Sequence, residues 1–216
     1  MTIQLPVPDY AEARQAMVDS QLRPQGVNDP LVVAAMAKVP REQFVPGEHR
    51  PLAYLDRSVP LGGDRRLSPP EAIGLLLTAI APRPGQKALV VGAATGYSAA
   101  VLAEIGLDVV ALESDAAFVG SAASHGLTVV NGPLEAGHAK GAPYDLILID
   151  GAIEHLPDAL IDQLSDGGSV GYAAIDRGVT RLTIGRKAGG SIGLRSIADC
   201  GVSPLPGFLR PRAFTF

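Results

Sequence analysis

The segment Val90-Val91-Gly92-Ala93-Ala94-Thr95-Gly96-Tyr97 is where residue types and their order first suggest chemistry. It follows a short apolar run and precedes a helical pattern. Small residues at such a turn let the backbone approach a ligand closely. The helix start beyond it offers unpaired N–H groups to a negative group such as a carboxylate. A tight strand-to-helix turn without a ligand has the same appearance, so the turn alone defines no site. Glu113 adds to it. Placed at the end of the next strand, an acidic side chain can accept two hydrogen bonds from ribose hydroxyls. A solvated strand-end charge is the bland alternative. The Gly-x-Gly-x-x-Gly turn of dinucleotide folds is absent, which points away from NAD. Ser68 stands before a helical pattern and reads as its cap. His49, His125, His138 and His155 are scattered at spacings that do not suit a metal, and read as surface or satisfied polar residues.

The elements that must position these residues can be read from periodicity. Ala11 to Leu22 has apolar residues near helical spacing. Asp29-Pro30 opens a second helix, with Asp29 as N-cap and Pro30 in the first turn, ended by Val39-Pro40. Phe44 to Leu67 is rich in Pro, Gly and charge and reads as an extended surface connection. In it, Arg65 and Arg66 read as solvated, or as recruiting an anionic group. A third helix runs from the Ser68 cap through Pro69, Pro70 and Glu71 to Ile80. From there the pattern changes to strand and helix in alternation. Strands are predicted at 87–91, 108–112, 127–130, 144–149 and 169–173, and helices at 97–105, 115–124 and 157–164. Apolar strands alternating with helices imply an α/β fold, a doubly wound and mostly parallel sheet with helices on both faces. The tail offers strands at 180–184, 193–198 and 213–216, and the last strands of such a sheet are suited to antiparallel pairing. Residues 1–216 read as a single domain, with 1–82 a helical, substrate-side extension and 83–216 the sheet core.

Composition narrows the function classes. The 216 residues are 47% hydrophobic and 19% charged, so the chain can bury a real core. The net charge of −4 has no basic stripe, which argues against nucleic acid. Cys200 is the one cysteine and cannot form an internal disulfide; it reads as a small semi-buried hydrophobe. The first residues carry no secretory pattern, and no apolar run reaches the roughly 20 residues a membrane span needs. A cytoplasmic location is expected.

Several segments together resemble the protein-L-isoaspartate O-methyltransferases. They are Met17-Val18-Asp19-Ser20-Gln21-Leu22, Val39-Pro40-Arg41-Glu42-Gln43-Phe44-Val45-Pro46, Ala53-Tyr54-Leu55-Asp56 and Val59-Pro60-Leu61-Gly62. The glycine turn with Gly96 to Ala103 follows, then Ala142-Pro143-Tyr144-Asp145, and Leu160 to Leu164 with Gly167-Gly168. The resemblance implies a seven-stranded methyltransferase sheet with added N-terminal helices. It implies transfer of a methyl group from S-adenosyl-L-methionine to the carboxylate of L-isoaspartyl residues in damaged proteins. The ester then closes to a succinimide that reopens partly to aspartate, which is protein repair. It places Ser68 on the substrate carboxylate. It places Gly92, Ala93, Ala94, Thr95, Gly96, Tyr97, Glu113, Ser114, Leu134 and Asp150 around the cofactor, with no metal.

The departures from the family fall near that cofactor pocket. Val90 stands where the family has an acid, and Ala94 where it has the middle glycine of the turn. If position 94 needs a positive φ, alanine costs roughly 1 kcal/mol. Gly132-Pro133-Leu134 replaces Gly-Asp-Gly, Arg65-Arg66 replaces Gln-Thr, and Asp150-Gly151-Ala152 replaces Thr-Ala-Ala. Two lost charge-assisted contacts, at about 1.5–3 kcal/mol each, would weaken cofactor binding more than tenfold. Three functions are therefore compatible with the sequence: the isoaspartyl methyltransferase, a methyltransferase on another carboxylate, and a non-catalytic binding module on the same fold.

Overall fold

The computed structural model describes residues 9–208. The strand predicted at 213–216 lies outside the described residues. The chain opens with α1 (Tyr10–Met17), capped by the Asp9 carboxylate, and passes without a break into one π turn, Val18–Leu22. That wider turn buries Val18 and Leu22 together with Met17. Helix α2 (Pro30–Lys38) begins as its sequence dictates. Asp29 accepts from the Leu31 and Val32 amides at 2.9 and 3.3 Å, and Pro30 fills the first turn.

The stretch from Phe44 to Leu67 differs from its expected form. It holds 3₁₀ turns at Arg41–Phe44 and Gly47–Leu52 and a hairpin of β1 (Val59–Gly62) and β2 (Arg65–Leu67). Phe44, Ala53, Tyr54, Val59, Leu61, Arg65 and Leu67 are buried. It is therefore a packed layer rather than a surface connection. Pro and Gly were read as loop signals, but here they shape tight turns between buried side chains.

Helix α3 (Pro70–Ile80) also departs from expectation at its start. Pro69 is the N-cap and no side chain caps the helix, so Ser68 lies outside it and its hydroxyl is used elsewhere. Beyond α3 the alternation holds. The elements are β3 (Lys87–Val91), α4 (Tyr97–Ile105), β4 (Asp108–Glu113), α5 (Ala116–Ser124), β5 (Thr128–Asn131), β6 (Tyr144–Ile153), α6 (Asp158–Asp162), β7 (Leu164–Asp176), β8 (Val179–Ala188) and β9 (Ser191–Asp199). β6 and β7 are longer than the apolar runs predicted, and α6 is shorter.

The seven strands lie in the order β5-β4-β3-β6-β7-β8-β9. β5, β4, β3, β6 and β7 pair in parallel, and β8 and β9 complete the sheet antiparallel. The seven strands match the number that the resemblance implies. Both faces are buried, and the pleat decides which side chain goes where. Ala88 and Val90 of β3 join the cluster under the N-terminal helices, whereas Leu89 and Val91 join the cluster with Leu112, Ile147 and Ile149. Strand order reverses at β3, with β4 on one side and β6 on the other. Ligands of such sheets bind in the crevice beyond the strand ends at that switch point.

Asp29 is a cap with a second job. Arg83 donates to its other oxygen at 2.9 Å. Burial works against its charge, yet Arg83 and the two amides hold its carboxyl below the usual 3.8. Asp29→Ala should cost about 1 kcal/mol, read as a lower urea midpoint with unchanged slope. Because the folded pKa is depressed, the difference from wild type should be full at neutral pH and fade as pH falls below 3.8.

Candidate active site

The glycine turn lies where the switch point requires it. Gly92 follows β3 and Gly96, at φ 98°, precedes α4. Ala94 sits at φ 47°, a left-handed conformation that costs an alanine about 1–2 kcal/mol. Its amide donates to Glu113 Oε2 at 2.8 Å, so that bond helps hold the strained residue. Glu113 ends β4 and is fully buried. Its Oε1 accepts from the Ser114 amide at 2.8 Å and from the Asp115 amide at 3.2 Å. Thr95 donates to the Phe44 carbonyl at 2.7 Å, tying the turn to the N-terminal layer.

Arg65 is not solvated. In β2, alternate residues face opposite sides, so Arg65 points inward and Arg66 outward. Arg65 Nη1 donates to Glu113 Oε1 at 2.8 Å, and Nη2 donates to the Gly92 carbonyl at 2.8 Å. Its guanidinium also lies 5.5 Å from the Phe118 ring centre. Burial raises the cost of the Glu113 charge, but the Arg65 guanidinium and the backbone amides outweigh it and hold the carboxyl below its ordinary range.

A second polar cluster forms at the end of β6. Register slips between Leu148 and Ala152, so Asp150 and Gly151 lie in a bulge that re-aims the side chain. Asp150 accepts from Ser68 Oγ at 2.7 Å and from Ser98 Oγ at 2.6 Å. Arg41 supports Ser68 from behind. It is fully buried, its Nε donates to the Ala53 carbonyl at 2.7 Å, and its Nη2 donates to the Ser68 carbonyl at 2.5 Å. It stacks 4.6 Å from the Tyr97 ring centre. Among the described residues, Arg41 Nη1 and the Tyr97 hydroxyl have no hydrogen-bond partner.

The structure thus gathers Ser68, the Gly92–Tyr97 turn, Glu113, Ser114 and Asp150 at one crevice. Leu134 lies in a short turn after β5 and shares an apolar cluster with Leu112 and Leu205. Arg41, Ser98 and Leu205 belong to the same region and were not singled out. Arg41 lies in the Val-Pro-Arg-Glu segment, which was its only signal. Ser98 gave none, because a serine in a first helical turn has many bland explanations. Beside Ser68, Asp56, Ser58, Pro69, Glu71, Leu75, Asp199 and Cys200 line part of a cavity of about 380 Å3.

Comparison with known proteins places this geometry. The family model for Protein-L-isoaspartate(D-aspartate) O-methyltransferase (PCMT) matches residues 12–200. The chain is 44% identical over 169 residues to the protein-L-isoaspartate O-methyltransferase of Methylorubrum extorquens, covering 76% of this chain and 74% of that one. It is 34% identical to the enzyme of that name from Koribacter versatilis over 92% of both chains. Among solved structures, a protein-L-isoaspartate O-methyltransferase superposes with a TM-score of 0.80 at 21% identity, covering 90% of this chain and 66% of that one. The Plasmodium falciparum beta-aspartate methyltransferase (PCMT), solved with S-adenosyl-L-homocysteine, gives 0.77 at 18% identity over 92% and 99%. These two likenesses bear on the fold.

The cavity beside Ser68 carries a titration. Burial and a hydrogen bond with Asp56 push the Glu71 carboxyl from 4.5 up to about 7. A raised carboxyl pKa means that the folded state holds the proton longer than the unfolded chain. Stability should therefore fall as pH rises from 4.5 to about 7. Glu71→Gln should flatten that slope in urea titrations at stepped pH. An unchanged slope would remove Glu71 as its source.

Proposed function

The chain belongs to the protein-L-isoaspartate(D-aspartate) O-methyltransferase family, and from that membership we propose how its own residues serve the reaction. It is an S-adenosylmethionine-dependent O-methyltransferase that acts on the carboxylate of L-isoaspartyl residues in damaged proteins. When bound, the cofactor supplies the methyl group on a sulfonium that leaves readily.

The donor set at the crevice fits such a cofactor in kind. Glu113 stands where a ribose diol would be gripped, and the turn at residues 92–97 brings backbone close to it. Ser114, Leu134 and Asp150 stand around the same space. The observation that carries this assignment is the Ala94 amide on Glu113 Oε2, which fixes the strand-end acid against the glycine turn. The same ground is held in this conformation by Arg65, so binding requires Arg65 to yield.

The chemistry asks little of the protein beyond placement. A carboxylate with a reference pKa near 4 is already ionised at neutral pH, so no general base is needed. The protein must hold the acceptor oxygen in line with the methyl group and exclude water. Ser68 is the residue for the first task. Its hydroxyl is buried at the crevice, and Arg41 fixes its backbone through the Ser68 carbonyl. In this reading Ser68 turns its hydroxyl from Asp150 to the substrate carboxylate. In this reading the described residues up to Pro82 form the substrate side and those from Arg83 onward the cofactor side. Among the described residues no helix is long and apolar enough to cross a membrane, and we place the enzyme in the cytoplasm, a reading also supported by its single cysteine.

The test is transfer of labelled methyl from S-adenosylmethionine to an isoaspartyl peptide, with the aspartyl peptide as control. Labelled ester on the isoaspartyl peptide alone is expected. Ser68→Ala should lower kcat/KM at least tenfold while cofactor affinity holds. Glu113→Gln should weaken cofactor affinity at least tenfold by calorimetry. Absence of ester at saturating peptide and cofactor would overturn the proposal.

A further inference from the structure

We propose that Arg65 and Leu205 set this enzyme's cofactor affinity by holding the crevice closed. S-adenosylmethionine enters as Arg65 leaves Glu113 and the 202–208 segment leaves the end of β6. This rests on the family reading above and goes beyond it, because that reading says only that Arg65 yields and gives no part to Leu205 and no control of affinity to either residue.

The first observation is the state of Glu113. A carboxylate has about four acceptor positions. Four donors lie within 3.2 Å, Arg65 Nη1 and the Ser114 and Asp115 amides on Oε1 and the Ala94 amide on Oε2, so Oε1 is full and a single position is left on Oε2. A ribose diol gripped by this carboxylate needs two. The backbone amides belong to the turn itself and cannot leave without undoing it. Arg65 is the donor that can leave, since it comes from a separate hairpin.

The second observation is independent and comes from the other end of the chain. Leu205 sits on the two glycines that face each other across the crevice. A Cβ built on Gly92 would lie 2.7 Å from Leu205 Cδ1, and one on Gly151 would lie 2.7 Å from Leu205 Cβ. The side chain thus fills the close-approach surface that the glycine turn would offer a ligand. The segment is fastened to β6 by a single parallel bridge between Ala152 and Pro204. Ala152 donates to the Ser203 carbonyl at 2.9 Å, Leu205 donates to the Ala152 carbonyl at 2.8 Å, and Glu154 donates to the Phe208 carbonyl at 3.3 Å. Leu205 and Phe208 are buried in one apolar cluster with Leu134, a residue placed at the cofactor.

The two closures meet at one residue. Arg65 takes the Gly92 carbonyl and Leu205 covers the Gly92 Cα. A nucleoside at this turn would collide with both. Substrate access is closed by the same logic, since the Ser68 hydroxyl is committed to Asp150. Among the described residues the segment is fastened by three backbone hydrogen bonds and the buried side chains of Val202, Leu205 and Phe208, against a ligand that would replace both kinds of contact.

The experiment uses the full chain and S-adenosyl-L-homocysteine as probe. Calorimetry is run on wild type, Arg65→Gln, Leu205→Ala and the double variant. Amide hydrogen exchange is followed across 152–154 and 203–208, with and without the probe. Gln can still donate to Glu113, so its burial stays partly satisfied, and Leu205→Ala tests the closure at an unrelated position. Each single variant should bind at least tenfold tighter than wild type, and the double variant tighter still. In wild type the probe should speed exchange across 152–154 and 203–208. Binding to wild type with unchanged exchange, and no gain in the variants, would overturn the closure while leaving the cofactor assignment intact. No binding by any of the four proteins at millimolar probe would overturn the closure and the cofactor assignment together.

Discussion

A carboxylate taken fully out of water at the end of a parallel strand must be met by donors or it will not stay charged. Glu113 is that group, and much of the site follows from how it is met. Three backbone amides come from its own strand end and from the glycine turn beside it. The fourth donor, Arg65, is carried in by a hairpin that precedes the sheet in the chain. Removing one partner of a buried pair costs about 3–5 kcal/mol, because the other is left unpaired. The pair therefore pins the hairpin to the sheet. Through Ser68 and Arg41 the same layer is pinned again, and Thr95 adds a third tie to the Phe44 carbonyl. Beside the apolar packing of Phe44, Val59, Leu61 and Leu67, these polar contacts hold the N-terminal layer over the crevice, each ending on a residue of the site.

The sheet was legible in the sequence because burial on both faces leaves a strong trace. A run such as Lys87 to Val91 has few other uses, and the structure places β3 and α4 at the bounds read for them. The positions of Glu113 and the turn followed from strand and helix order alone. The hairpin was not legible for a physical reason. Two adjacent arginines look like solvated charge, yet a strand sends them to opposite faces, so one is buried and the other exposed. Only the partner across the crevice decides which. Ser68 was misread as a cap because a serine before two prolines fits that role locally. The acceptor that drew it away, Asp150, is distant in the chain. Local propensity was overruled there by a buried carboxylate needing donors.

The residues at which the sequence reads as departing from the family pattern are consistent with one another. Val90 is fully buried in the apolar cluster beneath the sheet, so an acid at that position would need a partner that the apolar wall does not offer. Leu134, Leu205 and Phe208 share one apolar cluster near the site. Ala94 retains the positive φ of a glycine turn despite its Cβ, and its amide bond to Glu113 offsets part of that strain. Asp150 finds two hydroxyl donors through a bulge that aims it inward. A pocket losing its ligand by drift would be expected to leave unsatisfied charges and empty volume. Here Arg65 and Asp150 have both found partners and the glycine cradle is filled. That pattern is what selection for a closed resting state would leave, and it locates the cost of cofactor binding in two separable contacts rather than in a ruined site.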